Sequence, residues 1–246
     1  MDVLLPALAA FLAGVLNTLA GGGTFLTFPA LVAAGLPPVV ANATSAVAVL
    51  PGYAGGAAGF RAELSRMRPA LLGRLCLWAL AGGMAGAGLL TVSSDAVFAL
   101  MVPFLLLAAT LMFLFGGRLR AWASRQRGLA PFGGPALFAV ALYGGYFNGG
   151  LGIVLLALFA FWGMEDIHQM NGLKNGLSFA ISAMSVGVFA LAGIVAWPVA
   201  AAMMAAATAG GYAGAPLARR VSAAALRWGI AGIGFAMTAV FLARLA

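Results

Sequence analysis

Charge is what this sequence has least of. Of its 246 residues only 7% are Asp, Glu, Lys or Arg, where an ordinary soluble domain carries about 25% to cover its surface. With 64% hydrophobic residues and a mean hydropathy of +1.08, a soluble globular domain is excluded. The single cysteine, Cys76, permits no intrachain disulfide and no multi-cysteine metal site. The single histidine, His168, has no clustered ligands around it, so no zinc centre and no other metal site is expected. Acids are few as well: Asp2, Glu63, Asp95, Glu165 and Asp166 all fall outside the long apolar runs. That excludes the buried carboxylate on which many proton- or sodium-coupled carriers rely. No Ser/His/Asp or Cys/His arrangement is present, and no phosphate loop leads to a lysine. Neither enzyme chemistry nor a cofactor is expected. Met1-Asp2-Val-Leu-Leu-Pro6 has no basic n-region, so a cleavable signal is not expected either.

What the chain does have is apolar length. Ten segments can be read, at about 3–18, 22–35, 39–59, 69–90, 96–115, 135–148, 151–163, 171–190, 197–217 and 223–243. Five approach or exceed the ~20 residues of a membrane-crossing helix. The pairs 3–18 with 22–35 and 135–148 with 151–163 are shorter and broken by glycine. Each reads as a helical hairpin, either re-entrant or made of two short tilted helices. Non-helical backbone at membrane depth is tolerated only where protein buries it or a cavity is lined by it.

The two halves repeat. Leu80-Ala-Gly-Gly-Met-Ala-Gly-Ala-Gly-Leu89 returns 128 residues later as Thr208-Ala-Gly-Gly-Tyr-Ala-Gly-Ala-Pro-Leu217. Gly35 with Gly163 and Ser94 with Ser222 keep that offset, while Gly14-Val-Leu-Asn17 pairs with Gly145-Tyr-Phe-Asn148, and Asn42 with Asn171. The expected organisation is a first transmembrane repeat over 1–115, a basic cytoplasmic linker over 116–134 and a second repeat over 135–246. The charges set the orientation. Arg61, Arg66 and Arg68 follow the third segment of the first half, but the matching loop before Trp197 carries none; Arg219 and Arg220 follow the ninth segment, where Thr91–Asp95 has no cation. By the positive-inside rule equivalent loops then lie on opposite sides, which makes the repeats inverted with both termini outside. The fold class is therefore all-α: a polytopic membrane protein of two inverted repeats, each a broken hairpin plus three transmembrane helices. The formal charge of +8 is explained by cytoplasmic retention of loops, and nucleic acid is not an expected partner. Glycines four apart (Gly52/Gly56, Gly55/Gly59, Gly82/Gly86, Gly210/Gly214) read as close helix packing.

Polar residues inside the spans are neutral or cationic. Asn17, Gly22, Gly23 and Thr24 mark the first break, Asn148, Gly149 and Gly150 the second. Glycine opens the helix there, and the N-terminus of the half-helix that follows attracts an anion. Asn42, Thr44 and Ser45 lie early in the third segment. Asn171, Lys174, Asn175, Ser178, Ser182 and Ser185 follow i, i+3, i+4, i+7 spacing and share one helix face. Lys174 is the only lysine. A charge in mid-membrane costs about 2.5–3.5 kcal/mol even on the lenient insertion scale, so it is either a ligand for an anion or a helix-end side chain reaching the headgroups. Discontinuous helices in inverted repeats are a recurring transporter design.

Gly14-Val-Leu-Asn-Thr-Leu-Ala-Gly-Gly-Gly-Thr-Phe-Leu-Thr-Phe-Pro-Ala-Leu31, with Ala41-Asn-Ala-Thr-Ser45 and Asn171-Gly-Leu-Lys-Asn175, resembles the sulfite exporter TauE/SafE family over nearly the whole chain. The second hairpin, Asn148-Gly-Gly-Leu-Gly152, lacks the Gly-Gly-Gly…Pro form of the first. The resemblance implies a multi-pass protein of the bacterial inner membrane that moves sulfite, a sulfonate or a related organosulfur anion. The expected partners are that small sulfur-containing anion, the lipid bilayer and, as an option, a second copy in a homodimer. Two other readings stay open: an exporter of a zwitterionic amino acid or small carboxylate, and a membrane scaffold with no transport of its own.

Overall fold

The computed structural model describes residues 3–19, 23–126, 131–218 and 223–243. Those residues form eleven helices and no strand: α1 Leu4–Leu19, α2 Thr24–Ala33, α3 Pro38–Gly59, α4 Arg61–Ser65, α5 Pro69–Val92, α6 Asp95–Ala123, α7 Gly134–Tyr146, α8 Leu151–Phe161, α9 Ile167–Leu191, α10 Trp197–Ala218 and α11 Ala223–Ala243. Helix is the natural choice for chain that must meet all its own backbone hydrogen bonds in lipid. Boundary residues set the starts. Pro38, Pro69 and Pro135 stand in the first turns of α3, α5 and α7, where the missing N–H costs nothing. Ser94 caps α6 by accepting from Val97 N, and Asp166 caps α9 by accepting from His168 N and Gln169 N.

Three boundaries differ from the sequence expectation. The short helix α4, bearing Arg61 and Glu63, fills what reads as a loop. Helix α6 runs on through Arg118 and Arg120 to Ala123, because an arginine is no obstacle to a helix once its apolar part ends. Helix α9 begins at Ile167, one turn before Asn171, since the Asp166 cap, not the start of the apolar run, decides where it can nucleate.

Helices α5, α6 and α9 are long and apolar enough to cross a membrane. Large apolar side chains also cover their outer faces, among them Leu77, Val92, Phe104 and Leu191. A bundle apolar both inside and out has lipid as its natural solvent.

Contacts recur in pairs. Helix α1 packs on α10 as α7 packs on α5, and α3 meets α9 while α6 meets α11. The glycines make these approaches close. A Cβ on Gly14 would strike the backbone of Ala207 and Gly211, and one on Gly145 would strike the backbone of Gly83. Gly82 and Gly86 face the Phe138 and Leu142 carbonyls in the same way, and Gly210 faces that of Phe11. The packing reading of those glycines holds. It does not hold for Gly55 and Gly59, which have nothing within 4 Å of a Cβ, nor for Gly56, which faces the Asn175 side chain. Gly214 lies where side-chain surroundings are not described.

Two ends of the bundle can be told apart. At one, Val39 N at the start of α3 donates to Asp95 Oδ1 at the start of α6 (3.0 Å), and Ala196 N before α10 donates to Thr44 Oγ1 (3.1 Å). At the other, Trp122 of α6 meets Phe161 of α8, and Phe132 before α7 meets Trp162 after α8, both at 5.3 Å between ring centroids. The α7–α8 hairpin thus enters and leaves by one end, where Arg61, Arg66, Arg68, Arg118 and Arg120 also lie.

Candidate functional site

A cavity of about 690 Å³ lies between α3, α9 and α10, in the half of the bundle toward the arginine-bearing end. The α3 wall is Val49, Pro51, Gly52, Gly55, Gly56 and Phe60; facing it are Asn171, Lys174 and Asn175 of α9, with Thr208 and Tyr212 of α10 closing the third side. Ile167 and Tyr212, 36% and 84% exposed, sit where it reaches the surface. Pro51 and three glycines on α3 leave that wall low, and this low wall makes the room.

The chemistry of the lining is one-sided. Among the described residues Lys174 is its only cation and no carboxylate borders it. The ammonium donates to Asn171 Oδ1 at 3.2 Å. An ammonium has three N–H donors, so two remain for water or an anion. A hydrogen bond to a charged group contributes about 1.5–3 kcal/mol, comparable to the membrane cost of the charge, and a bound anion stabilises it further. The stem of Lys174 lies over Gly152 of α8, where a Cβ would come within 3.2 Å of Cδ. Asn175 lies over Gly56, where a Cβ would come within 2.7 Å of Nδ2. Each polar side chain is therefore seated against a glycine of a neighbouring helix.

The residues expected to form the site divide. Asn171, Lys174 and Asn175 line the cavity together. Ser178 sits one turn further along α9, fully buried, and its hydroxyl has no partner among the described residues. Asn148 is buried in the left-handed region (φ 64), a conformation asparagine tolerates. It accepts from Tyr53 OH at 3.3 Å and donates to Ser182 Oγ at 3.1 Å. Gly149 and Gly150 are buried with it; Tyr143 OH donates to Gly149 O, and Gly150 (φ 72) precedes α8. The second break is covered by protein on all sides, as backbone at that depth requires.

The early α3 group lies elsewhere. Asn42 donates to Tyr146 O at 2.8 Å, completing the end of α7. Thr44 Oγ1 accepts from Ala196 N, and Ser45 Oγ shares a hydrogen with Thr27 Oγ1 at 2.6 Å. Thr24 is buried near them on α2. Asn42, Thr44 and Ser45 tie helices together, and none of the four borders the cavity. Gly23 starts α2, its carbonyl accepting from Thr27 Oγ1. Gly22 and the side chain of Asn17 fall outside the described residues.

Sequence reasoning missed Thr208, Tyr212 and Phe60. The signal for Thr208 was present, since it opens the repeated Ala-Gly-Gly motif, whose glycines drew the attention instead. Phe60 carries no pattern of its own.

The profile of the family described as "Sulfite exporter TauE/SafE" matches residues 6–241. The chain is 30% identical over 210 residues to a "Probable membrane transporter protein" of Haemophilus influenzae, spanning 83% of this chain and 80% of that one. It is 28% identical over 201 residues to "Probable membrane transporter protein ORF9" of a Sinorhizobium species, spanning 78% and 73%. No solved structure matches it.

Proposed function

Because this chain belongs to the TauE/SafE sulfite exporter family of membrane transporters, we propose that its cavity carries a small sulfur-containing anion across the bacterial inner membrane. Sulfite, a sulfonate or a related organosulfur species is the cargo. One observation carries the reading: the cavity is lined by the chain's only lysine, flanked by two asparagines, with no acid among its lining residues. Such a lining attracts an anion and offers no carboxylate among the described residues to pair with a cationic group, which disfavours a zwitterion. Amide and hydroxyl groups beside the ammonium give an oxyanion further donors.

In this reading the halves are inverted repeats and the arginine-bearing end is cytoplasmic. The paired helix contacts support the repeat, and the α7–α8 hairpin places Lys174 beside a broken helix, where transporters of this design hold their substrates. The test is flux. Proteoliposomes containing the full chain are expected to exchange labelled sulfite or methanesulfonate down a gradient, and Lys174→Ala is expected to lower that flux at least tenfold. Wild-type flux in Lys174→Ala, or transport of a neutral amino acid in preference to either anion, would overturn the reading.

A further inference from the structure

The cavity is larger than its charge requires. Its ammonium and both its amides stand on one wall, where Asn171, Lys174 and Asn175 share a face of α9. A bare inorganic oxyanion at the ammonium would leave most of the 690 Å³ to water. Sulfite is smaller than benzene, and a cavity of about 150 Å³ already accepts a benzene molecule.

Much of the remaining wall is apolar or open. Leu156 borders the cavity one turn beyond Gly152 on α8, and the stem of Lys174 lies over Gly152. One face of α8 thus leads from the lysine to an apolar side chain. On α3, Val49, Gly52, Gly56 and Phe60 follow i, i+3, i+7, i+11 spacing and form a stripe, with Gly55 beside it. Val49 and Phe60 bound the stripe with apolar side chains, and the glycines between them hold the wall back. Glycine is a poorer helix former than alanine, and Gly55 offers no close packing in return. It borders the cavity, yet a Cβ there meets nothing within 4 Å. Its neighbour Gly56 takes the Asn175 side chain, so the room at Gly55 lies beside the polar wall.

We infer that the cavity selects its anion by an apolar body as well as by charge, and that Gly55 sets how large that body can be. The preferred cargo is an organic anion whose ring-sized apolar part lies against the α3 glycines and Leu156. Its sulfonate or carboxylate meets Lys174. Moving that body from water onto an apolar wall adds affinity in proportion to the area covered. Sulfite has no such body and makes no such gain. The inference rests on the transport reading and concerns the part of the cargo that the ammonium does not recognise.

The experiment measures binding of methanesulfonate, benzenesulfonate, acetate and benzoate to the full chain in lipid nanodiscs by calorimetric titration. Wild type is expected to bind each ring-bearing anion at least tenfold more tightly than its methyl counterpart. In Gly55→Leu the side chain grows into the cavity, and both ratios are expected to fall below threefold. Leu156→Asn, similar in volume but polar, is expected to lower the ratios at least threefold, and serves if the leucine variant does not fold. Lys174→Ala is expected to weaken all four anions at least tenfold. A preference in one pair alone would support the apolar body and assign the charged group. Equal affinity for methanesulfonate and benzenesulfonate, and for acetate and benzoate, with binding lost in Lys174→Ala, would overturn the inference and leave the transport reading standing. So would wild-type ratios in both Gly55→Leu and Leu156→Asn. Wild-type binding of benzenesulfonate to Lys174→Ala would overturn it as well, since lipid or another surface would then hold the ring. Binding of none of the four would overturn both readings.

Discussion

Lys174 stands seven residues into α9, on a face that meets protein and cavity, not lipid. A side chain that merely snorkels would accept arginine freely, because both long stems reach the headgroups. Seated on Gly152, the compact ammonium is not replaced by a planar fork. Lys174→Arg is therefore expected to weaken sulfite binding tenfold or more while expression stays near wild type. Lys174→Glu is expected to abolish binding, because it sets like charge beside the anion in a poorly screened cavity. Titration of the two variants decides between site and snorkel. Asn42 and Asn171 give a second contrast. Asn42 completes a buried helix end and Asn171 holds the ammonium. Asn42→Ala leaves the Tyr146 carbonyl unpaired and is expected to cost about 1–3 kcal/mol of stability with unchanged affinity. Asn171→Ala is expected to do the reverse, losing affinity with little change in melting temperature.

At the scale of the element, small residues do two different jobs. On α5 and α10 glycine brings two backbones into contact: a methyl at Gly86 would collide with the Leu142 carbonyl and the Tyr146 amide, neither of which can yield without moving a helix. On α3 the same residue type makes space, and Gly55 has nothing near it. Gly86→Ala is accordingly expected to destabilise by about 1–3 kcal/mol or more through overpacking. Gly55→Ala is expected to be neutral or slightly stabilising, since alanine is the better helix former. Thermal melts of the two variants check the pair, and equal effects would refute the distinction. Helix α8 shows a further element-scale effect. Glycine at its start, in a conformation with positive φ, lets α7 reverse so that α8 begins against α9.

For the whole molecule, the pairing of α1 with α10 and of α7 with α5 is what a two-fold relation between halves would produce. If the halves are inverted, cysteines placed at 61 and 219 react from the cytoplasmic side and one at 94 reacts from outside. Labelling of intact cells with an impermeant thiol reagent, in a Cys76→Ala background, reads this directly. Reaction of positions 61 and 94 from the same side would refute the topology. The polar residues of α3 and α9 are put to different uses. Those of α3 tie it to α2, α7 and the α9–α10 turn, whereas Asn171, Lys174 and Asn175 of α9 face the cavity.

Membrane residence, helical class and nearly every helix were legible in the residues alone, because a lipid solvent leaves backbone no alternative to helix and apolar runs measure their own length. The polar face of α9 was legible for the same local reason, a fixed 100° step per residue. Which polar residues share a space was not. Asn42, Thr44 and Ser45 look as eligible as Asn171, Lys174 and Asn175, and only the packing of α3 against α2, the end of α7 and the α9–α10 turn engages the first three in internal bonds. Nor could spacing separate Gly55 from Gly86, since the difference is whether another helix arrives there. Composition and period are properties of one segment; a cavity is a relation among α3, α9 and α10, and it exists only once they have met.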